Sequence, residues 1–182
     1  MSAKFDFHFE SKEHRRPLPP KLIIGPQEGE PLTNILLIVL SYVILDRERL
    51  QIRTNLHNDS ITFVPDIVQL DYELRVRLWV EVGPCSITKL DKLAVKVPEA
   101  EIWIVRTSVT DCEDLLRGMR KHGLRTGRYH LLCFSTEMLE EMLALLKPRN
   151  HFVLYHCQSD PPSLQFELNG IWFDTEYAQF DH

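Results

Sequence analysis

Phe5, Phe7 and Phe9 alternate with Asp6 and His8. That period of two predicts a strand with one buried face. The basic, proline-rich segment from His14 to Pro20 predicts a loop, and Lys21 to Ile24 a second short strand. Polar residues from Pro26 onward lead into a continuous apolar stretch. A buried helix is expected there, from about Pro31 to Ile44, with proline in its first turn. The apolar run from Ile35 to Leu45 is far shorter than the roughly 20 residues of a bilayer span.

Alternation returns at Leu50, Ile52 and Thr54, and Asn55 to Ser60 is polar. Ile61 to Gln69 and Leu74 to Val82 are two β-rich runs, expected to pair as a hairpin turning near Tyr72 and Glu73. Gly83 and Pro84 stop the second run, and Ser86 is placed to cap a helix reaching about Val95. Leu90, Leu93, Ala94 and Val97 recur at helical spacing, while Lys89, Lys92 and Lys96 share another stripe. Glu101 to Arg106 predicts a buried strand, and Asp111 the cap of a helix to Lys121 with Gly123 beyond its end. Tyr129 to Phe134 predicts a strand, Ser135 caps a Leu/Met-rich helix ending before Pro148, and Phe152 to Tyr155 and Leu164 to Phe173 complete the strands. With no repeat and no long linker, residues 1–182 are expected to form a single α/β (α+β) domain.

Composition narrows the function classes. The chain is 44% hydrophobic and 26% charged, with a formal net charge of −5. Non-specific nucleic-acid affinity rests on a basic surplus, so any such contact needs a local patch. Arg117, Arg120, Lys121, Arg125 and Arg128 form one. They are read either as a nucleic-acid-binding surface or as the solvated end of a helix, where the dipole favours positive charge. Cys85, Cys112, Cys133 and Cys157 make no CxxC pair and are expected to be reduced thiols of a cytoplasmic protein. No secretory leader is recognised at the start of the sequence.

The candidate chemistry lies in Pro65-Asp66 and Trp79-Val80-Glu81-Val82-Gly83. If the hairpin turns midway, Asp66 and Glu81 face each other on neighbouring strands, with Cβ atoms about 5 Å apart. Two carboxylates so close repel unless protonated or bridged by a cation. Mg²⁺ bridges in this way with few carboxylates plus water and phosphate oxygens. Asp66 and Glu81 are therefore the candidate metal ligands, with the Val82 carbonyl as a third donor. A PD-(D/E)xK nuclease site also needs a lysine two residues after the second acid, and Gly83 stands there. Lys89 or Lys92, from the helix that follows, is the expected substitute, and Glu30 a further catalytic carboxylate. The plainer alternative is a solvated strand-end acid beside the wet face of a helix.

These residues together resemble the YaeQ family. Glu48-Arg49-Leu50-Gln51-Ile52 stands where the family has a Glu-Arg-Leu strand after its apolar helix. Pro65-Asp66, Asp71 and Leu78-Trp79-Val80-Glu81-Val82-Gly83 match its proline–acid pair, pre-strand Asp and Leu-Trp-Ile-Glu/Asp segment. Lys89 and Lys92 match its basic helix, and Glu30 the acid ahead of its first core helix. The resemblance implies a PD-(D/E)xK nuclease-like mixed sheet with flanking helices and extra terminal strands, its lysine displaced onto a helix.

Two functions of different class follow. One is a Mg²⁺-dependent nuclease or phosphodiesterase acting on DNA or RNA. The other is a catalytically inactive module of the same fold that binds nucleic acid or a protein partner, with no membrane role. No glycine-rich phosphate loop, dinucleotide fingerprint or nucleophile elbow is present.

Overall fold

The structure is a computed structural model describing residues 3–182, and these form eleven strands and four helices. They group into two compact units.

The first unit comprises the chain up to Asp46 together with Phe134–Tyr177. Its sheet runs β10-β9-β8-β1-β2, built from β1 (Phe5–Ser11), β2 (Lys21–Ile24), β8 (Arg149–Ser159), β9 (Pro162–Leu168) and β10 (Ile171–Glu176). The Phe-x-Phe-x-Phe alternation does form β1, with Phe5 and Phe7 buried. Phe152, Phe166 and Phe173 stack in sequence across three strands, with centroids 4.9 Å apart at each step. Helix α1 (Thr33–Leu45) is apolar on all sides and buried from Ile35 to Ser41, as such a helix must be in water. Helix α4 (Thr136–Leu145) begins at the expected cap, with Ser135 Oγ accepting from Met138 N–H.

The expectation of one strand from Leu164 to Phe173 is corrected. Asn169 and Gly170, at φ 52° and 84°, turn the chain between β9 and β10. Asn-Gly tolerates left-handed backbone at both central positions of a two-residue hairpin.

The second unit comprises Arg47–Cys133 and Ala178–His182. Its sheet runs β11-β7-β6-β5-β4-β3, from β3 (Leu50–Ile52), β4 (Ile67–Leu70), β5 (Val76–Val82), β6 (Glu101–Arg106), β7 (Tyr129–Cys133) and β11 (Ala178–Asp181). β5, β6 and β7 are parallel. Parallel neighbours need crossovers, here helices α2 (Ile87–Lys96) and α3 (Val109–Lys121). One sheet face and both helices share a core of Trp79, Leu90, Leu93, Ile102, Ile104, Leu116, Met119 and Tyr129. Trp79 is completely buried, a side chain worth about 2–3 kcal/mol of transfer free energy.

Two boundaries differ from the sequence expectation. Ile61 to Pro65 is irregular, so β4 starts only at Ile67. The cap of α3 is Ser108, whose Oγ accepts from Asp111 N–H, and Asp111 lies in the first turn. Both residues suit a helix start, and the hydroxyl three residues earlier takes the capping position.

Candidate active site

Antiparallel pairing of β4 with β5 sets Ile67 against Val80 and Val68 against Trp79. Asp66 stands just ahead of the paired part of β4, and its N–H donates to Val80 O at 3.0 Å. Glu81, two residues along β5 from Trp79, shares its face, and Asp66 meets the end of the same strand through Val82 N–H. The loop from Asp71 to Arg75 makes the hairpin turn, with Leu74 N–H donating to Asp71 O.

Glu81 is buried, its side chain 7% exposed. Its Oε1 accepts from Trp79 Nε1 at 2.7 Å and its Oε2 from Lys89 Nζ at 2.7 Å. Lys89 sits in the first turn of α2, held there by the Ser86 cap, whose Oγ accepts Lys89 N–H. Its ammonium also lies over the Phe63 ring, 5.2 Å from the centroid, a favourable placement against the π face. Phe63 lines an open cavity of about 560 Å³ together with Asn55, His57 and Thr62.

Asp66 Oδ2 accepts from Val82 N–H at 2.8 Å, and Oδ1 from Arg53 Nε at 3.3 Å. Burial pushes the Asp66 carboxyl above its ordinary pKa, the Val82 and Arg53 contacts pull the other way, and the Glu81 charge adds to the rise. Gly83 accounts for the absence of a lysine at the end of β5. Its φ of 82° is open to glycine and strained for a lysine, so the cation arrives from α2 instead.

Sequence reasoning misses Arg53, because nothing in an irregular loop signals its pairing with an acid thirteen positions on. It misses Arg106 as well. That residue ends β6, is buried, and has Nε without a hydrogen-bond partner, 3.6 Å from Asp111 Oδ2. Its Nη2 contacts Cys85 Sγ at 3.8 Å. Burial pushes the Cys85 thiol up to about 11, with Arg106, Glu81, Lys89 and Asp111 acting on it in turn. All four cysteines are free thiols, and Cys112, Cys133 and Cys157 are buried.

The other candidates are placed elsewhere. Lys92 is exposed. Glu30 belongs to the first unit, where its carboxylate accepts from Gln27 N–H and Asn34 Nδ2. In the basic cluster, Arg117 pairs with Asp114 at 3.0 Å on the surface, and Arg120, Lys121 and Arg125 are exposed. Arg128 is committed to the fold: its guanidinium donates to Ala94 O, Val97 O and Ala100 O, closing the carboxyl end of α2.

The donors suit Mg²⁺ in kind. Asp66, just ahead of β4, and Glu81, on β5, offer hard oxygens, and Mg²⁺ needs only one or two carboxylates because it keeps several waters. Among the described residues no group of three or more His, Cys, Asp or Glu is arranged to hold a metal.

No family model matches the sequence, and no curated protein matches it in sequence. Solved structures do match in fold. The YaeQ protein from Xanthomonas axonopodis pv. citri superposes with a TM-score of 0.77 at 13% identity, covering 100% of this chain and 99% of that one. The YaeQ protein from Pseudomonas syringae gives 0.76 at 11% identity, over 100% of this chain and 97% of that one. The mixed α and β architecture, with its two mixed sheets and four helices, is the YaeQ fold.

Proposed function

We propose that the second unit carries a Mg²⁺-dependent phosphodiesterase site acting on nucleic acid. The observation that supports this is the convergence of Asp66, Glu81 and Lys89 at one end of the β4–β5 hairpin. Two acids and a lysine are the parts a PD-(D/E)xK nuclease needs, and burying the charge of Glu81 costs stability that a hydrophobic side chain there would not. Such an arrangement is a functional-site candidate on physical grounds.

Asp66 and Glu81 would anchor the ion, which when bound activates water and offsets charge on the scissile phosphate. Lys89 leaves Glu81 to hold the attacking water or a phosphate oxygen. Arg53 holds Asp66 in place through Oδ1, and Val82 N–H fixes its other oxygen. In the reaction a water oxygen adds to phosphorus as the water gives up one proton to solvent, one P–O ester bond breaks, and the departing oxygen takes one proton from solvent. Incubation of the purified chain with single-stranded and duplex DNA and RNA in Mg²⁺ or Mn²⁺ tests this. Cleavage that Asp66→Asn abolishes is expected, and cleavage that persists in that variant, with purity controlled, contradicts the assignment.

A second reading rests on a different observation. All four carboxylate oxygens of Asp66 and Glu81 already accept from the chain's own donors, two of them cationic. A charge-balanced cluster of this kind suits an inactive module that binds nucleic acid or a protein partner without cutting. It predicts binding that survives loss of Glu81.

A further inference from the structure

The first unit presents a surface of a different character from the candidate site. Strand β10 is an edge of its sheet and, among the described residues, pairs only with β9. It exposes Ile171 at 50% and Trp172 at 49%. An edge strand with large apolar side chains in water is a ready template for another extended chain. The other two tryptophans, Trp79 and Trp103, are buried, so the exposure of Trp172 is particular to this edge.

The surroundings of Trp172 are ordered and acidic. Tyr155 meets its indole edge-on, with centroids 5.0 Å apart. Tyr155 Oη donates to Glu167 Oε1 at 3.2 Å, and Glu167 stands opposite Trp172 in the ladder. That bond holds a carboxylate beside the indole. Asp174 and Glu176 follow on the same edge strand, both exposed. The first unit as a whole carries half of the acidic side chains but only a third of the Lys and Arg, so the acidic surplus of the chain lies in it.

These observations select one occupant. We infer that the β10 edge binds an extended basic peptide segment, which adds to the sheet as a further strand and stacks a Lys or Arg on Trp172 between carboxylates. Main-chain hydrogen bonds to an edge supply affinity and alternate side chains supply specificity. Arginine is favoured at the indole, since its planar guanidinium stacks on an aromatic ring and hydrogen-bonds carboxylates at once. A second copy of this chain fits poorly, because pairing two β10 edges sets Asp174 and Glu176 of one copy near those of the other. This surface is independent of the phosphodiesterase reading.

The test is fluorescence anisotropy with a labelled octapeptide alternating Arg and Val, titrated with the full chain. Controls are the same peptide with Glu in place of Arg and one with a central proline, which removes a strand hydrogen bond. The inference predicts saturable binding of the basic peptide, none of the acidic one and loss with the proline peptide. It predicts binding at least about tenfold weaker in Trp172→Ala, as for an aromatic anchor, and in the pair Asp174→Lys, Glu176→Lys, with Asp66→Asn unchanged. Unchanged affinity in Trp172→Ala or with the proline peptide overturns it, because the attraction is then only that of net charge. Absence of binding at millimolar protein also overturns it. So does a concentration-dependent dimer in light scattering that Trp172→Ala abolishes, which assigns the edge to a second copy.

Discussion

Lys89 Nζ stands 2.7 Å from Glu81 Oε2, and this pair joins the first turn of α2 to the end of β5. Glu81 is nearly sealed from solvent while Lys89 remains 27% exposed. Replacing Lys89 by Met keeps the stem and removes the charge, leaving a buried carboxylate without its cation. The expected cost is about 2 kcal/mol, between that of exposed and of fully buried pairs. For a chain of this length Tm falls by about 4–8 °C. Adding Glu81→Gln should restore part of the loss, and thermal unfolding of the two single variants and the double variant measures the coupling.

Gly83 sets where that lysine can come from. Its φ of 82° turns the chain out of β5 toward α2. Gly83→Ala should cost about 1–2 kcal/mol through left-handed backbone alone, read by chemical denaturation. Gly83→Lys, although it rebuilds the linear motif, should be less stable than the natural chain and no more active in nucleic-acid cleavage.

The acids are legible in the sequence and the cations largely are not. Alternation and a central turn bring Asp66 and Glu81 to the same end of the hairpin with no structure in hand, although Asp66 stands just outside β4. Lys89 and Lys92 lie three apart on one helix, so spacing alone does not choose between them. The Ser86 cap does, by fixing the angle at which the first turn meets the strand end. Arg53 and Arg106 act through tertiary contacts that leave no periodic trace. The Asn169-Gly170 hairpin, by contrast, has a local signature, which the β-rich residues on either side of it disguise as one longer strand.

Within the basic cluster, Arg128 serves the fold, and nucleic-acid binding by the other four is tested against it. Three carbonyls at the end of α2 need its planar fork, which lysine does not supply. Arg128→Lys should destabilise the chain by about 2 kcal/mol without changing the salt dependence of nucleic-acid binding. Converting Arg120, Lys121 and Arg125 to Gln should leave Tm nearly unchanged and flatten that dependence, by roughly 0.9 in slope for each phosphate no longer neutralised on duplex DNA. Titrations at several salt concentrations measure both.

Asp71 gives a pH dependence of defined sign. Backbone N–H groups of Arg75 and Glu73 and the side chains of Arg75 and Arg77 hold its carboxyl at about 2, against 3.8 for the unperturbed group. A lowered folded pKa contributes stability that is present above the unfolded value and is lost as pH falls toward the folded one. Asp71→Asn should therefore lower Tm at neutral pH, and the gap from the natural chain should close between about pH 4 and pH 2. Asp66, whose carboxyl is raised by burial, acts in the opposite sense: the stability it opposes is regained as pH falls through its folded pKa.

The most direct test of the proposed site is calorimetric titration of Mg²⁺ and Mn²⁺ into the natural chain and into the double variant Asp66→Asn, Glu81→Ala. The account predicts binding to the natural chain that the double variant abolishes, weakened at low pH where the carboxylates are protonated. Equal heats in both proteins, or none in either at millimolar metal with substrate oligonucleotide present, would contradict it and leave Asp66, Arg53, Glu81 and Lys89 as a structural charge network.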